Sequence, residues 1–125
     1  MRVLLDTHVV LWTLSAPDTI SQAALDVLIS PQTQRVVSVT SLWEIAIKRA
    51  VGRLQAPDDL PDFLARNRHE ILPIAAAHAW RVGRLPTIHG DPFDRLLVAQ
   101  AQAEDIPLIT HDRRLEKYDV RIIWA

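Results

Sequence analysis

The 125-residue chain contains no cysteine, which excludes disulfide bonds and zinc sites built on thiolates. It also contains no apolar stretch close to the 18 or more residues that a membrane-spanning helix requires. The apolar start of the chain, MRVLLDTHVVLW, is broken by Asp6 and His8, whereas a secretory signal has an uninterrupted apolar core. We therefore expect a cytoplasmic protein with no contact to a membrane.

The composition favours a soluble globular protein, with 49% apolar and 23% charged residues. A chain of this length predicts a single domain over residues 1–125, large enough to bury a core. The net charge of −1 does not by itself suggest a nucleic-acid partner. Residues 63–90 nevertheless contain four arginines and only one acid. If acids elsewhere hold a divalent metal, the remaining surface is therefore net basic. Binding of RNA or DNA is therefore permitted.

Apolar runs and helical periodicities alternate along the chain. The predicted strands cover 2–5, 35–39, 70–74, 107–109 and 120–124, and the predicted helices 21–29, 41–52, 57–67, 75–85 and 92–103. Residues 8–14 are predicted as apolar turns of a helix that starts near Thr7 and that Asp6 could cap, and 113–117 as one charged helical turn. Strands that alternate with helices predict an α/β fold with a parallel sheet covered on both faces.

Four acids stand near the predicted carboxyl ends of strands. Asp6 follows the first strand directly, and Asp112 lies just beyond the strand over 107–109. Glu44 and Asp94 each occupy the first turn of a helix, the latter behind Asp91 as N-cap and a proline at the first helical position. Because ligands bind beyond the carboxyl ends of parallel strands, we expect all four acids at one edge of the sheet.

Each acid also has a structural interpretation. Carboxylates are common at helix starts, where they cap free N–H groups and complement the helix dipole, which would suffice for the three aspartates. Glu44 could instead complete a capping box with Ser41 or pair with Lys48 one turn later. Taken one at a time, the structural interpretation is favoured for every one of these acids.

Taken together, the acids favour a metal site. Asp94 and Glu44 lie on apolar helical stripes, and clustered carboxylates repel one another unless a counter-charge is present. The sequence places no lysine or arginine at the ends of the first and fourth strands, so a hard cation such as Mg²⁺ or Mn²⁺ is expected. Such a metal lowers the pKa of a water molecule and thereby allows hydrolysis of a phosphodiester. Thr110, and with less support Ser41, would orient a carboxylate or a water.

Other polar and aromatic residues are less informative. Arg95, beside Asp94, could contact phosphate or form a surface salt bridge. The five histidines lack the spacing of zinc hydrolases, although His89 and His111 flank the expected site. The four tryptophans are expected in the core or at an interface.

The segments LLDTHVVLW, SLWEIAIK, HGDPFDRLLVAQA and ITHD, in this order and spacing, resemble the PIN-domain ribonucleases. More closely, they resemble the VapC-type toxins of bacterial type II toxin–antitoxin pairs, over residues 2–124. The resemblance implies an α/β/α sandwich with a five-stranded parallel sheet and a Mg²⁺- or Mn²⁺-dependent endoribonuclease. The acidic positions of the family fall on Asp6, Glu44, Asp94 and Asp112, its hydroxyl falls on Thr110, and Asp91 is an additional acid.

The resemblance also implies partners. It predicts a homodimer, and a small antitoxin whose tail lies across a groove formed in part by the helices over 41–51 and 57–67. Two other classes of protein are alternatives to the ribonuclease. A catalytically silent binding module would keep the fold, but the acid set is intact. A receiver-like phosphoacceptor domain would need an acidic pair after the first strand, where Asp6 is followed by Thr7, and a lysine after the last, where Trp124 is followed only by Ala125.

Overall fold

A five-stranded parallel sheet forms the centre of the computed structural model, which describes all 125 residues. The strands are β1 (Arg2–Leu5), β2 (Gln34–Ser38), β3 (Glu70–Leu72), β4 (Leu108–Thr110) and β5 (Ile122–Trp124). Their spatial order is β3-β2-β1-β4-β5, and every pair is parallel. The chain runs outward from β1 to β3 and then resumes on the other side of β1. The order of the strands therefore reverses between β1 and β4, which is where an open parallel sheet leaves a crevice.

Six α-helices cover the two faces of the sheet. They are α1 (Thr7–Ser15), α2 (Gln22–Ile29), α3 (Val39–Ala50), α4 (Leu60–Arg66), α5 (Ala76–Arg81) and α6 (Pro92–Glu104). Successive side chains of a strand point to opposite faces. Val3 and Leu5 accordingly join a core cluster with α1 to α4, whereas Leu4 joins a second cluster with α6. The predicted α/β/α sandwich with a five-stranded parallel sheet is thus confirmed.

The apolar turns predicted over residues 8–14 belong to helix α1, in agreement with a helix that Asp6 could cap. Asp6 is the N-cap of this helix and accepts a hydrogen bond from the Val9 amide at 2.9 Å. The run THVVLW lacks a continuous polar face, so the helical period is masked in the sequence. The cap and the burial of Val9 and Val10 against the sheet favour the helix nonetheless.

The capping box predicted at Ser41 is wrong. Helix α3 begins at Val39, two residues before the predicted start, and Ser38 is the N-cap, with its hydroxyl accepting from the Thr40 amide at 2.9 Å. Ser41 is buried inside the helix and accepts a hydrogen bond from the Thr7 hydroxyl at 3.0 Å. Fully buried Gln100 of α6 in turn accepts from the hydroxyls of Ser38 and Thr40. The start of α3 is therefore fixed by buried hydrogen bonds, which also fixes the helix that carries Glu44.

The predictions for the shorter helices and the tryptophans need smaller corrections. Helix α4 is shorter than the helix predicted over 57–67 and has no side-chain cap. The helix predicted over 75–85 changes at Val82 into a 3₁₀ helix, and Arg113–Lys117 is likewise 3₁₀. None of the four tryptophans is fully buried; Trp12 packs against the edge of the core, whereas Trp43 and Trp80 are exposed. No helix combines the length and the hydropathy that crossing a membrane would demand.

Candidate active site

A polar cavity of about 400 Å³ opens at the carboxyl edge of the sheet, beside the reversal between β1 and β4. No apolar side chain lines it. The lining residues are Asp6, His8, Glu44, Lys48, Asp91, Asp94, His111, Asp112, Arg113 and Arg114. The four acids singled out in the sequence thus line one cavity, together with the additional acid Asp91.

Asp6 is held on both of its carboxylate oxygens. Only 4% of the residue is exposed, and while Oδ1 caps α1, Oδ2 accepts a hydrogen bond from the Thr110 hydroxyl. The Thr110 oxygen also accepts from the Asp112 amide at 3.1 Å, so one threonine links two of the acids. Burial raises the pKa of Asp6, and the hydrogen bond from Thr110 opposes this shift. Thr110 therefore orients a carboxylate, the role expected from its position.

Glu44 projects into the cavity from α3 with one oxygen unpaired. Its residue is 3% exposed, and Oε2 accepts from Lys48 Nζ at 2.5 Å. Oε1 is buried without any hydrogen-bond partner. An unsatisfied buried carboxylate oxygen is costly, so this atom marks a place where a cation or a donor from a ligand would bind favourably.

Asp94 is the acid most affected by its neighbours. Burial first, and then the negative charges of Asp91, Asp6 and Asp112, raise its pKa to about 6. A hydrogen bond from His89 at 3.4 Å acts in the opposite direction without cancelling the rise. Negative charge is therefore crowded around Asp94, which is the electrostatic condition that a divalent cation relieves.

The expectation that these acids lack basic partners is wrong for Asp112. Arg114 folds back onto this carboxylate, with Nε 3.0 Å from Oδ1 and Nη2 2.6 Å from Oδ2, and this contact lowers the pKa of Asp112. The same guanidinium lies 3.7 Å from Oδ2 of Asp94. The 3₁₀ turn that Asp112 caps brings a residue only two positions away over the carboxylate. Lys48, foreseen as a partner one helical turn away, likewise neutralises Glu44.

These basic side chains explain the geometry of the acids. As they stand, no three Asp, Glu or His side chains are arranged to hold a metal ion. The donor set nevertheless fits Mg²⁺ or Mn²⁺, because it consists of carboxylates, one buried oxygen of Glu44 is unpaired, and carboxylates are crowded around Asp94. Binding of a cation through Asp112 would require this carboxylate to exchange Arg114 for the ion, whereas Glu44 can offer Oε1 while Lys48 holds Oε2.

Two residues near the site have structural contacts. Arg95 does not line the cavity; its guanidinium donates to the Pro86 carbonyl at 2.8 Å and to the Tyr118 hydroxyl at 3.2 Å. These contacts contradict the suggested role in binding phosphate. His89 is almost buried between the Tyr118 hydroxyl, 2.8 Å from Nδ1, and Asp94. Sequence reasoning did not identify Arg113, Arg114 or His8 as lining residues, and only their closeness in sequence to Asp112 and Asp6 could have indicated them.

The fold and the cavity together define a class, that of small α/β/α proteins with an acidic site at the point where strand order reverses. Comparison with known proteins is more specific. The chain belongs to the PIN domain family, whose model matches residues 3–121. The resemblance inferred from the four acidic segments is thereby confirmed.

The similar proteins include a ribonuclease and solved structures of toxin–antitoxin complexes. The chain is 32% identical over 121 residues to ribonuclease VapC22 of Mycobacterium tuberculosis (strain ATCC 25618 / H37Rv), covering 93% of this chain and 91% of that one. Among solved structures, VapBC2 from Rickettsia felis bound to a promoter DNA fragment superposes with a TM-score of 0.75 at 18% identity, over 99% and 98% of the two chains. A toxin–antitoxin complex from Klebsiella pneumoniae gives 0.67 at 18% identity, over 97% and 95%. These structures share the fold of this chain.

Proposed function

We propose that this protein is a metal-dependent endoribonuclease and the toxin of a type II toxin–antitoxin pair. The observation that carries the proposal is the convergence of Asp6, Glu44, Asp94 and Asp112 on one cavity, in a chain 32% identical to a ribonuclease. Catalysis is assigned to these four acids and Thr110, with the acids as the metal ligands. The whole of residues 1–125 would act as one catalytic domain in the cytoplasm, where it meets RNA.

Each part of the site has a chemical role in this proposal. A bound Mg²⁺ or Mn²⁺ would supply a water of lowered pKa and neutralise charge on the phosphate undergoing hydrolysis. The chain positions that cation through Asp6, which Thr110 and the cap of α1 hold in place, and through the unpaired oxygen of Glu44. Lys48, and Arg114 once released from Asp112, would remain at the cavity as cations for the RNA backbone.

An exposed apolar stripe on α3 supports the proposed protein partners. Trp43 and Ile47 lie on successive turns, Val51 is the C-cap of the helix, and the three residues are 54%, 44% and 66% exposed. Apolar helical stripes of this kind bind other proteins, and this one adjoins the helix face that carries Glu44 and Lys48. We assign it to the antitoxin, which would thereby cover the acidic cavity. The proposal includes a homodimer, as in the family to which the chain belongs.

The direct test is incubation of the purified protein with total RNA in Mg²⁺ or Mn²⁺, followed by mapping of new RNA ends. A discrete set of ends is expected, because a polar cavity of about 400 Å³ admits single-stranded RNA in few arrangements. EDTA should abolish cleavage, and excess Mg²⁺ should restore it. No new ends with either metal, or cleavage that resists EDTA, would contradict the proposal.

A silent binding module remains the second candidate, and the contact of Arg114 with Asp112 is the observation that favours it. Removal of this guanidinium distinguishes the two. If the cavity is a metal site, Arg114→Ala should tighten Mn²⁺ binding roughly tenfold, because a positive charge beside two ligands opposes the cation. Titration calorimetry measures the change. Arg121→Ala, which removes an exposed arginine paired with Asp105 at 3.4 Å, is the matched control and should bind Mn²⁺ as the unmodified protein does. Undetectable Mn²⁺ binding in all three proteins would favour the silent module.

A further inference from the structure

Three aromatic rings stand at the rim of the acidic cavity. His8 lies in the first turn of α1 and His111 directly follows β4; both are exposed, and both line the cavity. Trp12, one turn after His8, lies behind them and packs against the core cluster beneath α1. We propose that these three side chains, here called the aromatic rim, bind one nucleobase of single-stranded RNA beside the scissile phosphate. This inference rests on the proposed ribonuclease function.

The geometry of the aromatic rim suits a planar ligand. The ring centroids of His8 and His111 are 5.4 Å apart, and the rings are nearly perpendicular at 80°. A flat ring that enters this corner meets the face of one imidazole and the edge of the other. Trp12 supports the corner, with its ring centroid 4.6 Å from that of His111 and 6.2 Å from that of His8. The partly buried indole thus holds exposed histidines that would otherwise change rotamer freely.

The position of the aromatic rim relative to the acids shows which nucleotide would be bound, the one next to the scissile phosphate. His8 is two residues from Asp6, and His111 lies between Thr110 and Asp112 in the chain. A phosphate that reaches those acids would therefore place an adjacent nucleotide against the rings. A protein that reads a base in this way requires it to be unstacked, which single-stranded loops provide and duplexes do not.

An arginine lines the cavity together with the two histidines of the aromatic rim. Arg113 lines the cavity, and its guanidinium lies 4.0 Å from the ring centroid of Trp124, which holds it beside the aromatic rim. Aromatic rings that stack bases, next to arginines that contact phosphates, are the combination used for single-stranded nucleic acid. An antitoxin side chain could also contact such rings, but the adjacent arginine and the closeness to the acids favour RNA.

The test compares RNA oligonucleotides that span a mapped cleavage site with versions that are abasic at either nucleotide flanking the scissile phosphate. In the unmodified protein, kcat/KM should fall roughly tenfold for one of these abasic substrates, the size of one lost stacking contact. In Trp12→Leu and His111→Ala, the fall should shrink to less than about twofold, because the first variant loses the indole that holds the two histidines and the second loses a ring that contacts the base. Trp12→Phe keeps an aromatic ring and should restore most of the difference. Trp80→Leu, which removes an 80% exposed tryptophan elsewhere on the surface, should show the full tenfold fall.

A binding measurement separates this inference from the nuclease itself. Affinity for a 12-nucleotide single-stranded RNA and its fully abasic counterpart is measured by fluorescence anisotropy in EDTA. His111→Ala should weaken binding of the first and leave binding of the second unchanged. If the unmodified protein cuts no RNA but shows this pattern, the aromatic rim stands and the nuclease proposal falls. If RNA is cut and the variants keep the full abasic penalty, or the unmodified protein shows none, the aromatic rim is overturned and the nuclease stands.

Discussion

Asp94→Asn is expected to lower kcat/KM for RNA cleavage by roughly 100-fold or more while making the metal-free protein more stable. The loss follows because an amide oxygen replaces a charged ligand at the centre of the acidic cavity, and removal of one such electrostatic contact typically costs this much. The gain follows from the crowding of negative charge around Asp94. The amide keeps the shape of the side chain, so both effects can be assigned to the charge.

The gain in stability depends on pH in a defined direction. The pKa of Asp94 is about 6 in the folded, metal-free protein, above its ordinary 3.8. The folded state therefore binds this proton more tightly than the unfolded chain, and the resulting stability is fully present below pH 4. It is lost as the pH rises towards 6, when Asp94 ionises among other carboxylates. Asparagine does not ionise, so above pH 6 the variant should be more stable by about 1–2 kcal/mol, allowing for the partly exposed side chain.

Kinetics with the mapped RNA and thermal unfolding in EDTA at pH 5 and pH 8 measure the two effects. Asp62→Asn is the matched control, because Asp62 also lies in the first turn of a helix but is exposed. It should change neither cleavage nor unfolding. Cleavage by Asp94→Asn at the unmodified rate would remove Asp94 from the site. An unchanged or lower unfolding temperature at pH 8 would contradict the argument from charge crowding.

The meeting of the four acids at one edge of the sheet could be predicted, because it depends only on the order of strands and helices along the chain. Once Asp6 and Asp112 are placed after strands, and Glu44 and Asp94 at helix starts, parallel pairing brings them together whatever the side-chain details. The start of helix α6 could also be predicted, because Asp91 and Pro92 mark it unambiguously. Signals of this kind are local in the sequence, and the pairing of the strands then brings the marked residues together.

The features that were missed depend on tertiary contacts. Ser38 and Ser41 are both reasonable caps in the sequence, and the choice between them is made by buried Gln100, more than fifty residues away. The contact of Arg114 with Asp112 depends on the 3₁₀ geometry of a turn that the sequence marks only as charged. The aromatic rim combines helix α1 with the end of β4, so no single segment contains it.

Asp6 shows that the structural and the functional interpretation of an acid need not exclude each other. One oxygen caps α1, as the structural interpretation predicted, and the other is oriented by Thr110 at the acidic cavity. The two roles can be separated, because asparagine is as good an N-cap as aspartate but carries no charge. Asp6→Asn should therefore fold normally, yet cleave RNA roughly 100-fold more slowly or worse and bind Mn²⁺ at least about tenfold more weakly.

Asp6→Ala removes the cap as well, and should lower the free energy of unfolding by about 1 kcal/mol relative to Asp6→Asn. Ser21→Ala provides the matched control, since Ser21 caps α2 through the Ala24 amide at 3.2 Å and lies outside the cavity. It should lose comparable stability and retain cleavage. If Asp6→Asn cleaved RNA and bound Mn²⁺ like the unmodified protein while Asp6→Ala was merely less stable, Asp6 would be a helix cap alone. The metal site would then have to be built from α3, α6 and Asp112 without the first strand.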